Sequence, residues 1–323
     1  MTPDTLNDQL VKYLADAHAI EEQALAQMKR APRIAGEPGL AQIFREHEIE
    51  TFEHERLIRQ RLEAHDAQPS TLKELVMRAG GAGFAIFAQL NPDTPGKLTA
   101  HAYSYEHLEF ASYELLQRVA ARAGDTKTEL VAKQIAEQER AMGERLAAHF
   151  DAAVDASLRD VGPADLGGKV TSYLADAHAL EAQAISLLEG GQKLVGDDPL
   201  AALMREHLEE TREHERLVTE RLEALGSGPS RMKDVALGLG GLSWGGFFKA
   251  HPDTPGKLAA FAYAFEHLEV VGYELLKRVA ARAGDTATVA LAERILTDER
   301  GAARKIAAQF DHATDAALAA QAS

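Results

Sequence analysis

The 323-residue chain has no cysteine, a single tryptophan, and aromatic residues at only 6%. Without a thiol there can be no disulfide, no thiolate nucleophile, no cysteine-held zinc and no iron–sulfur or rubredoxin-type centre, so any metal must be held by oxygen and nitrogen. Positive charge is the scarcer sign, with 35 Lys and Arg against 50 Asp and Glu and a net charge of -15 at pH 7. Nucleic-acid backbones and anionic membrane surfaces need clustered bases to displace their counterions, so neither is an expected partner, whereas cations are. No segment approaches about eighteen uninterrupted apolar residues, and the N-terminus lacks the basic start and apolar run of a secretory signal. A cytoplasmic location is the expectation.

What the chain does have is itself twice. The residue numbers of matching positions differ by 160 throughout, as from Glu21 to Glu181. Tyr13, Asp16, His18 and Glu21 return as Tyr173, Asp176, His178 and Glu181. The run from Glu46 and His47 to Leu57 returns from Glu206 and His207 to Leu217, and the Asp93 to Leu98 segment returns as Asp253 to Leu258. A tandem duplication of one domain follows. The expected boundaries are one domain over residues 1–156, a linker over 157–168 containing Gly162-Pro163 and Gly167-Gly168, and a second domain over 169–323. The fused pair stands in for a homodimer and leaves room for further self-assembly.

Apolar residues recur at spacings of three and four and no alternating strand pattern appears, so each half reads as all-α. Helix A is expected from Thr5 to Arg33, and helix B from Pro38, with Asp198-Pro199 giving the clearer start in the second copy. Helix C opens at Thr94-Pro95 and stops at Gly124, after which Asp125 or Thr126 caps helix D. The connection from Asp66 to Pro95 is long, with a short helix at Leu72 to Arg78 and a glycine-rich apolar stretch. One long crossover between two short connections is the ferritin-like way to wire four helices. The second copy of that stretch, around Gly238 to Phe248, follows no strand and so is not a phosphate loop; Trp244, Phe247 and Phe248 are expected to cover a bundle end or the contact between halves.

Glutamates stand where leucines are expected. The core-facing stripe of helix A reads Leu10, Leu14, Ala17, Glu21, Ala24, Met28, and that of helix B reads Leu40, Ile43, His47, Glu50, His54, Leu57. Helix C gives Leu98, Ala102, Tyr105, Glu109, Ser112 and Leu116 with Glu106 on the same side, and helix D gives Ile135, Glu139, Met142, Leu146 and Phe150. The second copy repeats the polar positions as Glu181, His207, Glu210, His214, Glu266, Glu269 and Glu299. Glu21 lies about sixteen residues from the start of its helix and Glu50 about sixteen from the end of its antiparallel neighbour, so the carboxylates meet at one level of the bundle.

An uncompensated buried carboxylate costs several kcal/mol, against about 5–15 kcal/mol of total domain stability. The group must therefore be protonated, paired with arginine, hydrated or bound to a cation. Arg45, Arg56, Arg118, Arg122 and Arg140 occupy outer helix positions, where surface ion pairs are the usual fate. A carboxylate-rich dinuclear site is one reading, since hard cations take carboxylate with imidazole; a metal-free polar core is the other. Tyr113 and Tyr273 follow Glu109 and Glu269 by one turn and can hydrogen-bond a carboxylate, and His18 and His178 flank the stripe as supporting residues. His107 and His267 point away from the Glu109 face.

These residues together resemble the ferritin-like family of bacterial stress-induced proteins typified by YciE and YciF, a domain of unknown function. The resemblance rests on Asp16 with Glu21, His47-x-x-Glu50-Thr51, Glu106-His107-x-Glu109 with Tyr113, Gly124-Asp125, Glu139, and Arg231 with Met232 and Lys233, and it covers nearly all of each half. It implies a metal site at Glu21, Glu50, Glu106, Glu109 and Glu139, by likeness to rubrerythrin and other di-iron bundles. Two departures stand out. Helix D offers Met142, and Ala302 in the second copy, where di-iron bundles carry a second histidine, and the crossover has glycines where the family carries acidic residues. The expected function is a di-iron or di-manganese protein of oxidative or general stress defence that consumes peroxide or oxidises ferrous iron, with Glu50 and Glu139 as bridges. The alternative is a non-enzymatic stress or scaffold protein whose polar core fixes helix register.

Overall fold

The computed structural model describes residues 3–68, 94–195, 199–228 and 254–320. Within them the chain is all-α, with no strand. It divides into two compact units, one running to Arg159 and the other from Asp160 to Gln321. No helix among the described residues is long and apolar enough to cross a membrane. The crossover helix expected at Leu72 to Arg78, the Arg231 segment and the aromatics Trp244, Phe247 and Phe248 lie outside the described residues.

In the first unit, α1 (Pro3–Met28) is followed by the short α2 (Ala31–Ile34), then α3 (Pro38–Ala64), α4 (Thr94–Ala123), α5 (Thr126–Ala147) and α6 (Phe150–Ser157). Helix α1 packs on α3 and α4, and α5 on α3 and α4, so the four long helices close a bundle with the long connection between its second and third members. The second unit repeats this with α7 (Leu166–Val195), α8 (Pro199–Ala224), α9 (Thr254–Ala283), α10 (Thr286–Ala307) and α11 (Phe310–Ala320). Gly167 and Gly168, assigned to the linker from the sequence, lie in the first turn of α7.

Helix A does not run unbroken to Arg33. It stops at Met28, four residues before Pro32, because a proline has no N–H to bond the carbonyl at i−4 and its ring collides with that carbonyl. Gln192 replaces the proline in the second copy, and α7 continues to Val195. Helix D also ends earlier than its apolar stripe. The chain turns after Ala147, where His149 Nδ1 donates to the Arg145 carbonyl at 2.8 Å, and Phe150 opens a separate short helix whose ring packs edge-on against Tyr103 at 5.2 Å.

The α4–α5 turn follows the expected chemistry. Gly124 takes φ +75°, a left-handed conformation that costs glycine no Cβ collision. Asp125 then caps α5 by accepting from the Lys127 and Thr128 amides. Arg61 on α3 ties this cap to the bundle, donating to Asp125 Oδ2 and to Thr128 Oγ1, each at 2.8 Å. Arg221, Asp285 and Thr288 repeat the arrangement. One end of the first bundle is filled by Met28, Leu40, Phe44, Leu98, Met142 and Leu146, which leaves the mid-helix level to the polar side chains.

Candidate metal centre

Helix α3 sets the site. Its buried face carries Leu40, Ile43, Phe44, His47, Thr51, His54, Glu55, Ile58 and Leu62. Thr51 stays polar without cost because its hydroxyl donates to the His47 carbonyl one turn back at 2.8 Å. At about 100° per residue, Glu50 falls some 60° round the helix from His47. That puts it at the rim of the bundle, along with Leu57.

His47 turns Nε2 inward, 3.0 Å from Glu106 Oε2 on α4 and 3.5 Å from Glu139 Oε2 on α5. His54, two turns on, points Nδ1 inward, 2.7 Å from Glu139 Oε1 and 3.9 Å from Glu21 Oε1 on α1. The donors therefore fall into two groups, each with its ligand atoms within 4.8 Å of one another and able to hold a metal ion: His47, Glu106, Glu109 and Glu139, and Glu21, His54 and Glu139. Glu139 belongs to both. One of its oxygens faces each histidine.

The second unit repeats the grouping as His207, Glu266, Glu269 and Glu299, with Glu181, His214 and Glu299. His207 Nε2 lies 3.0 Å from Glu266 and 3.4 Å from Glu299, and His214 Nδ1 lies 2.8 Å from the other Glu299 oxygen. Every one of these side chains is buried.

Burial and mutual charge set the protonation of the group. Burial raises Glu21 and Glu181 to about 8 and Glu106 and Glu266 to about 7. Burial also lifts Glu109 and Glu269 well above the carboxylate range, with the neighbouring carboxylates adding to it. Burial opposes the charge of His54, but Glu139 beside it prevails and raises the imidazole to about 9. Glu139 is pushed up by burial and pulled further down by His54 and His47, so it stays ionised. Without metal the pocket thus stores protons, on carboxyls as well as imidazoles.

Both oxygens of Glu109 and of Glu269, and Oε2 of Glu21 and of Glu181, are buried without a hydrogen-bond partner. Unsatisfied buried oxygens are costly, and a cation ringed by them would remove the cost. The carboxylate-and-imidazole donor set could hold a metal ion on this ground. The histidine absent from helix D is matched by His54, so both imidazoles come from one helix.

Glu50 and Glu210 stand outside these groups. Glu50 is half-buried at the rim, where its Oε2 accepts from His47 Nδ1 at 2.9 Å and from Arg145 at 2.5 Å, and these contacts hold it at about 2 against the cost of burial. Its carboxylate is aimed at the back of His47, and Glu139 is the carboxylate common to both donor groups. Glu210 backs His207 in the same way at 2.9 Å. Tyr113 and Tyr273 each donate to a pocket carboxylate, Glu21 and Glu181 respectively. His18 pairs instead with Glu55 at 2.9 Å and His178 with Glu215 at 3.5 Å. Nδ1 of His107 and of His267 donates to the carbonyls of Tyr103 and Tyr263, one turn back.

Sequence reasoning missed Arg145 as the partner of Glu50, and Gln138 and Asp298, which meet the outer nitrogens of His54 and His214. Only the position of Gln138 and Asp298 directly before the core glutamate hinted at the latter pair. The other arginines form outer contacts as expected, Arg56 with Glu53 and Arg118 with Glu114 among them.

No solved structure matches the chain. The sequence pattern of a domain family of unknown function, DUF892, matches residues 5–159 and again residues 171–319, so the chain belongs to that family and carries its domain twice in tandem.

Proposed function

We propose that each half holds a dinuclear metal centre, with Glu139 and Glu299 as bridges and iron or manganese as the ions. The terminal ligands are then His47, Glu106 and Glu109 on one side and Glu21 and His54 on the other, matched by His207, Glu266, Glu269, Glu181 and His214. The observation that carries this reading is the single buried carboxylate shared between two donor groups, in both halves. A structural polar core needs no such sharing, and it has no use for glutamates whose oxygens lack partners.

A pair of iron or manganese ions, each changing oxidation state by one, would supply the two electrons that, with two protons from solvent, reduce hydrogen peroxide to two waters, and two ferrous ions as substrate would return those electrons to the pair. The protein's own part is to hold and position the centre. Glu21 and Glu106 hold protons near neutral pH in the metal-free chain and give them up as they take an ion. Glu50 and Glu210 fix the rings of His47 and His207 through their outer nitrogens. A role in stress defence follows from peroxide or ferrous iron as substrate.

A second reading has one observation in its favour: the close His54–Glu139 pair can balance charge without metal. On that reading the chain is a non-enzymatic scaffold. Elemental analysis of tag-free protein purified without chelators separates the two. About four iron or manganese ions per chain, falling to about two in Glu139→Gln and in Glu299→Gln, is the expected result. A chain that stays metal-free after reconstitution leaves the polar core as the correct account.

A further inference from the structure

The two halves match at every inward-facing donor but not behind them. His54 Nε2, the outer nitrogen of its ring, meets the amide oxygen of Gln138 at 3.1 Å. The corresponding nitrogen of His214 meets a carboxylate oxygen of Asp298 at 3.3 Å. Behind His47, Arg145 grips both oxygens of Glu50, at 2.5 and 3.3 Å, and takes up much of its charge. Behind His207 the matching residue is Lys305, whose ammonium bonds Glu206 at 2.6 Å, so Glu210 has no guanidinium laid across it.

A carboxylate accepting from the outer N–H of a ligating imidazole makes that imidazole a stronger donor, and changes at such positions shift metal affinity by about 10–100-fold. Both histidines of the second half are backed by carboxylates. In the first half one is backed by a neutral amide and the other by a carboxylate already paired with arginine. We propose that the two centres are unequal, with Asp298 and Glu210 making the centre around Glu299 the tighter site, and Gln138 with the Arg145-held Glu50 leaving the centre around Glu139 the weaker. Asp298 is then a positioning residue for His214, and the duplication serves to keep two affinities in one chain. The inference rests on the metal-binding reading above. It concerns charge behind the ligands, which that reading does not need.

The test is manganous-ion binding to the full-length chain at one fixed pH, read from the paramagnetic resonance signal of the free ion. The wild-type chain should fill in two stages separated by about tenfold in affinity. Asp298→Asn should weaken the tight stage by about tenfold and leave the weak one unmoved, and Gln138→Asp should strengthen the weak stage. The Asp298 side chain is 43% exposed, so its replacement leaves the packed core intact. As a second route, Glu139→Gln and Glu299→Gln chains should each retain one centre, the former binding more tightly. Binding in a single stage that neither substitution alters overturns the inequality while leaving the metal-binding reading intact. Absence of binding in the wild-type chain overturns both.

Discussion

Tyr113 on α4 donates its phenolic hydrogen to Glu21 on α1, and Tyr273 on α9 does the same to Glu181 on α7. The two phenols are 1% exposed, so each hydroxyl depends on its carboxylate and each carboxylate on its hydroxyl. The bond also ties the helix that brings Glu21 to the helix that brings Glu106 and Glu109.

Replacing Tyr113 with phenylalanine therefore leaves a buried carboxyl oxygen without its donor. The cost to the metal-free protein is expected to be about 1–3 kcal/mol by chemical denaturation. With metal bound the cost should shrink, because the ion then satisfies Glu21. Equal losses with and without metal would detach Glu21 from the centre.

The protonation pattern fixes how the metal-free protein responds to pH. Glu21 is raised from 4.5 to about 8 in the folded chain, so its contribution to stability is complete below the unfolded value and lost as pH climbs through 8. His54, raised from 6.5 to about 9, contributes fully below 6.5 and loses that contribution as pH climbs through 9. The second half behaves alike through Glu181 and His214. Both classes of group point the same way, so the melting temperature in chelator should fall steadily from about pH 6 to 9. A flat or rising profile over that window would mean that the pocket carboxyls are already ionised.

Loading the centres should reverse this. An ion that binds only the folded chain stabilises it by about 2.7 kcal/mol when its free concentration is 100 times its dissociation constant. Manganese should thus raise the melting temperature, and more so at pH 8 than at pH 6, since the ion displaces protons held by Glu21, Glu106 and His54. Chelator should undo the shift. In a chain carrying both Glu139→Gln and Glu299→Gln, manganese should leave the melting temperature where it was.

The cap at the α4–α5 turn offers a test of the scaffold that does not involve metal. Asp125 is partly buried, which raises it, but Thr128, His65 and Arg61 pull it well below the usual range. Its contribution is therefore present above about pH 4 and lost in stronger acid. Asp125→Ala should cost about 1–2 kcal/mol at neutral pH. Arg61→Ala should cost less in the Asp125→Ala background than alone, because the two side chains share one interaction; strictly additive losses would show the arginine acting elsewhere.

Much was legible in the chain itself. The 160-residue repeat fixes the tandem organisation, as Glu21 and Glu181 show. The spacing of Leu10, Leu14, Ala17, Glu21 and Met28 marks the buried face of α1, all of it confirmed by burial. The absence of cysteine removed thiolate ligands from the outset. Local rules also decided the ends at Pro38, Gly124 and Asp125, and the break at Pro32 was available to the same rules.

What the tertiary structure alone decided is which side of α3 faces inward. Glu50 and His54 lie close together in angle around the helix axis, and helical periodicity admits either as a core position. The placement of α5 settles it: Glu139 meets His54 at 2.7 Å, while Arg145 on the same helix draws Glu50 to the rim. The sharing of Glu139 between two donor groups, and the exchange of Gln138 for Asp298 behind matching histidines, are likewise relations between residues far apart in sequence. Periodicity assigns a residue to a face of its own helix. The distance between two carboxylates depends on how the helices that carry them pack.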